Sequence, residues 1–204
     1  MNRMAVWFGA ALVAACAVSP ALAQQPQAQR VRGVIEKVEG NNVLVKPKDG
    51  TDLTIMLTGD ALVVDVFKAS VADIKDGSYI GSGAVPQADG TQKAVEVHIF
   101  AESQRGTGDG HRAWDGAPNG TMTNGAAVGN TVVGVDGPVI TVKYKDGEKK
   151  IIVGPGTPIV RYQVGTRSEL KPGAAISVAN ATKNSDGTFG ANRINVGVDG
   201  VVPN

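Results

Sequence analysis

Aromatic side chains are scarce in this 204-residue chain: four phenylalanines, three tyrosines and two tryptophans, 4% of the total. That leaves little bulk for a large core, so the cores are expected to be built from Val, Ile, Leu and Ala. A single cysteine, Cys16, excludes internal disulfides. Beyond residue 23 no apolar run exceeds a strand's length, which excludes a later helical membrane span. A basic footprint is missing as well. Without Arg3, basic and acidic residues balance at 19 each, and nucleic-acid binding is not expected. No G-x-S-x-G nucleophile turn occurs. His111 stands where a dinucleotide loop beginning at Gly106 and Gly108 would need its third glycine, and no helical period follows.

What is present begins with an export signal. Met1-Asn2-Arg3 is a short positive start, Met4 to Val18 is almost wholly apolar, and Ser19-Pro20-Ala21-Leu22-Ala23 follows. This is the charged, apolar, small-residue order of a signal peptide over residues 1–23, cleaved before Gln24. The expected localisation is periplasmic or secreted. Val13-Ala14-Ala15-Cys16 offers a second reading, a lipoprotein box that would leave Cys16 lipidated. Pro20 followed by Ala-Leu-Ala favours Cys16 as a plain member of the signal core. Residues 24–30 are glutamine-rich and expected to be a disordered leader.

From Val31 onward, short runs of Val, Ile, Leu and Thr alternate with turns rich in Gly, Asn and Asp, as β-hairpins require. The 27 glycines fit that reading. Ser70 with Asp73 forms the pattern of a capping box, which predicts one short helical turn. The pieces then recur at a spacing of about 97 residues. Val43-Leu44-Val45 matches Ile140-Thr141-Val142, Ser70/Asp73 matches Thr166/Glu169, Asp89-Gly90 matches Asp186-Gly187, and Val97/Ile99 match Ile194/Val196. Two units of about 70 residues predict separate modules rather than a stacked array. The boundaries expected are 31–103 for the first β module, 104–127 for a Gly-rich connector and 128–204 for the second.

Within each unit the order is three strands, a short helical turn and two strands. That order matches the small five-stranded barrel called the OB-fold, with an SH3-like barrel or an open meander as alternatives. The fold class expected is all-β, two tandem OB-like modules behind the signal. The repeated phrase of a hydrophobic β run, Ser/Thr, a helical turn, Leu/Ile-Lys-x-Gly, another strand and Asp-Gly resembles a bacterial envelope family, of unknown function, of short OB-like β repeats. The central phrase Gly108-Asp109-Gly110-His111-Arg112-Ala113-Trp114-Asp115, followed by Thr121-Met122-Thr123-Asn124, resembles exported proteins labelled metal-transporter permease components.

Candidate sites concentrate in the connector. Asp109, His111 and Asp115 offer one imidazole and two carboxylates to a metal, although the ligand count of a built metal site is missing. Trp114 and Arg112 have the chemistry of an interface anchor, or of a plug for one barrel's open end. His98 with Glu96 on the same strand face is expected to form a polar outer face, and their counterparts Arg193 and Asn195 show that the repeat does not keep the residue types. An enzyme is not expected, since no positioned acid/base partner or cleft is legible. Residues 31–100 carry seven Lys/Arg against ten Asp/Glu, and residues 129–204 carry nine against six. Opposite fields of this kind would help two halves dock, unless they are only drift between duplicated units. The function expected is an exported, non-enzymatic envelope binding or adaptor protein, without a cofactor, that contacts a protein or glycan. The alternative is a periplasmic metal-handling accessory protein using Asp109, His111 and Asp115.

Overall fold

The structure, a computed structural model, describes residues 28–48, 50–132 and 136–204. The expected signal peptide, Cys16 and residues 24–27 of the expected leader lie outside the described residues. In chain order the strands are β1 (Ala28–Glu39), β2 (Asn42–Lys46), β3 (Leu53–Lys68), β4 (Tyr79–Pro86), β5 (Gln92–Ile99), β6 (Gly110–Ala113), β7 (Thr121–Val132), β8 (Pro138–Tyr144), β9 (Gly147–Ile152), β10 (Ile159–Val164), β11 (Ala175–Lys183) and β12 (Phe189–Gly197). Three single 3-10 turns, Val71–Asp73, Glu102–Gln104 and Arg167–Glu169, are the only helical pieces among the described residues.

The strands close two five-membered rings. In the first, β11 pairs with β1, β1 with β2 and β2 with β3, and β12 joins β3 in parallel and β11 antiparallel. In the second, β4 pairs with β7, β7 with β8 and β8 with β9, and β5 joins β9 in parallel and β4 antiparallel. Closure removes the free edges that would otherwise invite association. Both rings therefore mix strands from the two halves of the sequence. This corrects the expectation that 31–103 and 128–204 are self-contained modules: the β4–β5 hairpin closes on β7–β9, and the β11–β12 hairpin closes on β1–β3.

β3 joins the rings. Its 16 residues bend within the ladder, since β12 pairs with residues 55–57 and then with 62–66, and the residues between bulge out. Beyond the bulge β3 keeps β12 on one edge and takes β10 antiparallel on the other, Val64 with Val164 and Val66 with Tyr162. β10 in turn pairs in parallel with β5. This three-strand seam makes the two rings one continuous sheet.

Packing follows the exchange. One core gathers Val31, Ile35, Val43, Val45, Ile55 and Leu57 with Leu170, Ile176, Val178, Ile194 and Val196. The other gathers Ile74, Ile80, Val97 and Ile99 with Ile140, Val142, Ile151 and Val153. Ile74 and Leu170, the residues that follow two of the 3-10 turns, each enter the core of the ring their hairpin completes. A third, smaller cluster of Val64, Val66 and Tyr162 fills the seam. As the composition implies, these cores are almost entirely aliphatic.

Local signals hold where they were expected. The Asp73 carboxylate accepts from the Ser70 backbone N–H at 2.8 Å and hydroxyl at 2.9 Å. At the matching turn Thr166 meets Ser168 instead, 2.6 Å between hydroxyls. Both Asp-Gly hairpins are fastened alike: Asp89 Oδ1 accepts from the Thr91 N–H and hydroxyl, and Asp186 Oδ1 from those of Thr188. Two boundaries differ. Ala28–Arg30, expected in the leader, belong to β1, and the expected connector contains β6 and the first half of β7.

Close approach of backbone fixes one glycine in each ring. At Gly125 a Cβ would collide with the carbonyl oxygen of Lys143, and at Gly33 with that of Lys46. Neither obstacle is a flexible side chain. Gly125→Ala is therefore expected to destabilise the protein by about 1–3 kcal/mol, the usual range for overpacking. Gly59→Ala, with nothing within 4 Å of the added carbon, serves as the neutral control. Thermal denaturation measures both, and equal midpoints would contradict the strand crossing described here.

Candidate functional site

The connector is ordered by contacts with the second ring. β6 pairs antiparallel with β7, His111 with Thr123 and Arg112 with Met122. The loop after it closes on itself, with the Trp114 N–H donating to Gly120 O at 2.9 Å and the Gly120 N–H to Ala117 O at 2.9 Å. The Trp114 indole lies over Gly83 of β4, where an added Cβ would stand 2.7 Å from the ring, and it also covers Gly116. Glycine at position 83 makes the flat seat for the indole. This places Trp114 at the second ring, half-buried, with part of its surface left over.

The three candidate metal ligands have separate engagements. Asp109 accepts from the Tyr79 hydroxyl at 3.1 Å and from the Lys145 N–H at 2.8 Å. Burial, and then the Asp109 carboxylate, push the Tyr79 hydroxyl up to about 12, so it stays a donor to Asp109. His111 Nδ1 lies 2.8 Å from Thr123 Oγ1, and its ring stacks 6.3 Å from that of Tyr144. Burial and then Lys149 lower its pKa, favouring the neutral imidazole. Asp115 pairs with Arg30 at 3.3 Å. Among the described residues, no group of three His, Cys, Asp or Glu side chains stands close enough to hold a metal. Arg112 is exposed, its Nη1 donating to Gly108 O at 2.7 Å.

A different set of residues is brought together. Glu96 and His98 on β5 were expected on an outer face, and Arg193 and Asn195 stand at the matching places on β12. The exchange turns both faces toward one cleft between the rings, of about 280 Å³. Arg30 and Arg32 of β1, Asn124 of β7, Tyr162 of β10 and Asn180 of β11 complete its walls, with Arg112 and Trp114 from the connector. A wider depression of about 660 Å³ adjoins it, lined by Arg30, Arg112, Trp114, Asp115, Met122 and Asn180.

Glu96 sits in this cleft only 5% exposed. Its Oε1 lies 3.1 Å from His98 Nε2, and its Oε2 accepts from Asn204 Nδ2 at 2.5 Å. Burial alone pushes the carboxyl up. The His98 hydrogen bond and charge, the Asn204 amide and the Arg32 guanidinium together outweigh burial and hold it below the usual range. The His98 ring is 5.0 Å from Tyr162, which meets Phe100 edge-on at 5.4 Å. The Arg193 guanidinium stands 5.8 Å from the Tyr162 ring centre, as cation–π contact requires, and its Nε donates to Asn195 Oδ1 at 3.2 Å. Asn195 Nδ2 donates to Ser177 Oγ at 3.3 Å, and Ser177 donates to the Asn204 carbonyl at 3.1 Å.

The polar network thus spans strands from both rings, and its members fix one another's orientation. Sequence reasoning noted all four β5 and β12 residues but placed only Glu96 and His98, on a polar outer face. The available signal was their position: they occupy matching places in both units and interrupt otherwise apolar runs. Comparison with known proteins adds no relative, since no family model, curated protein or solved structure matches the chain.

Glu96 gives the fold an acid-sensitive element. Its lowered folded value means that its contribution is fully present above the unfolded value, about pH 4.3, and is lost as pH falls through the folded one. Glu96→Gln is expected to lower stability at pH 7 by about 1–3 kcal/mol, the range for a charged hydrogen bond. It is also expected to flatten the acid limb of melting temperature against pH. An acid limb identical to the wild type's would contradict this role.

Proposed function

We propose that this is an exported, non-enzymatic envelope binding protein of two OB-like barrels, and that the cleft between them is its binding surface. The observation that carries the reading is convergence: polar side chains from both rings, the seam and the connector meet in one open cleft instead of an apolar seal. Binding sites favour such junctions between units, where a few oriented polar groups fix a ligand. The five-strand closure, with a 3-10 turn ahead of the last hairpin of each unit, supports the OB-like assignment.

Duplication is supported by register. Ile80 opposite Gly125 in one ring corresponds to Ile176 opposite Gly33 in the other, and the antiparallel seam of β3 with β10 relates the two units head to tail. A binding rather than catalytic role is supported by how the reactive groups are used. Glu96 is engaged by His98 and Asn204, and the Ser177 hydroxyl is held by Asn195 and Asn204 instead of by a base. A protein segment or a glycan remains the class of partner.

Native mass spectrometry of protein purified gently from the envelope tests the reading. The expected result is an excess mass that disappears on denaturation and is absent from an Asn180→Trp variant, whose indole fills the rim of the cleft. Excess mass unaffected by that variant would place binding elsewhere. An excess of one metal ion abolished by His111→Ala would favour the metal-handling alternative.

A further inference from the structure

The charges of the cleft are unequal, and their pairing is more unequal still. Four guanidinium groups line it, from Arg30, Arg32, Arg112 and Arg193, against the carboxylates of Glu96, of Asp115 at the outer rim and of the last residue, Asn204. Arg30 alone has a carboxylate within ion-pair distance, Asp115 at 3.3 Å. Glu96 is committed to His98 and Asn204, so it leaves Arg193 without an anionic partner. In a chain whose total charge is close to zero, this is a local surplus of positive charge in a concave, partly dry place, where fields are strongest.

Arg193 is the decisive residue. It is partly buried, held by Asn195 at Nε and set against the Tyr162 ring. Burial disfavours its charge, and no carboxylate offsets that. A guanidinium kept oriented and incompletely compensated is arranged to receive an oxyanion, because its planar fork matches two oxygens at once. Around it the cleft offers polar groups suited to hydroxyls, the Asn180 and Asn195 amides. The half-buried Trp114 indole adds a surface against which a sugar ring can lie.

We propose that the cleft binds a saccharide-sized ligand bearing an oxyanion, carboxylate or phosphate, with Arg193 and Arg32 taking the charge and the asparagines and Trp114 taking the polar body. This rests on the cleft being the binding surface and adds the class of ligand. Glucuronate, glucose 6-phosphate and glucose share a ring and differ in charge, so they separate the two anion sources from the neutral body.

The test is titration of the full mature chain with each of the three, followed by 15N chemical shifts and by the fluorescence of Trp114. At least one charged sugar is expected to shift cleft resonances and to bind about tenfold or more tightly than glucose, and the tighter of the two identifies carboxylate or phosphate. Arg32→Gln, an exposed change that leaves the cores intact, is expected to weaken that binding about tenfold. Arg193→Met tests the same charge from inside the cleft. Glucose binding the cleft as tightly as the charged sugars would overturn the ligand class while leaving the binding surface intact. No cleft shift with any probe at millimolar concentration would overturn the inference. The binding surface itself falls only if the native protein also carries no cleft-dependent excess mass.

Discussion

The antiparallel pairing of β3 with β10 is the constraint from which the rest of the molecule follows. β3 continues past Gly59 to Lys68, keeping β12 on one edge while β10 takes the other. The seam then joins the rings through backbone hydrogen bonds, with Val64, Val66 and Tyr162 packed beneath it. Neither ring closes using one half of the sequence. Opposite net charge in the two halves is therefore not what joins them. Separating the halves would break the pairings of β1 with β11, β3 with β10 and β12, β4 with β7, and β5 with β9 and β10, a far larger cost than screening surface charge.

The same exchange builds the cleft. A strand face that would meet water in an isolated barrel meets its counterpart from the other ring instead. Glu96 and His98 line the same cleft as Arg193 and Asn195. Burial makes each of these groups costly unless satisfied, which is why they are joined by short hydrogen bonds reaching Ser177 and Asn204. Among these groups the Arg193 guanidinium has no carboxylate partner, and the proposed ligand class rests on it.

Much of the architecture was legible in the sequence. Alternation in Val43 to Lys46, the Asp-Gly turns and the Ser70/Asp73 cap gave the strands, hairpins and 3-10 turn close to where they stand. Which strands share a ring was not legible, because equal units have equal local patterns. Pairing β4 with β1 or with β7 satisfies the same hydrophobic alternation. The connector was mistaken for irregular chain because glycines at 106, 108 and 110 obscure the short β6, and because Thr121 to Gly125 looks like polar linker. Its residues Asp109, His111 and Asp115 look like ligands in sequence, yet each is spent on a separate contact. The cleft was missed for a physical reason: a polar residue on a strand face signals solvent unless a second sheet is known to cover it.

Cross-strand nuclear Overhauser effects between backbone protons of a deuterated, selectively protonated sample test the exchange most directly. Contacts of Ser82 with Thr123 and of Ser177 with Arg32, the pairs that face each other across β4 with β7 and β11 with β1, are the result expected. Contacts joining β4 to β1 and β11 to β7, with each unit closing its own barrel, would contradict the exchanged fold and the cleft that depends on it.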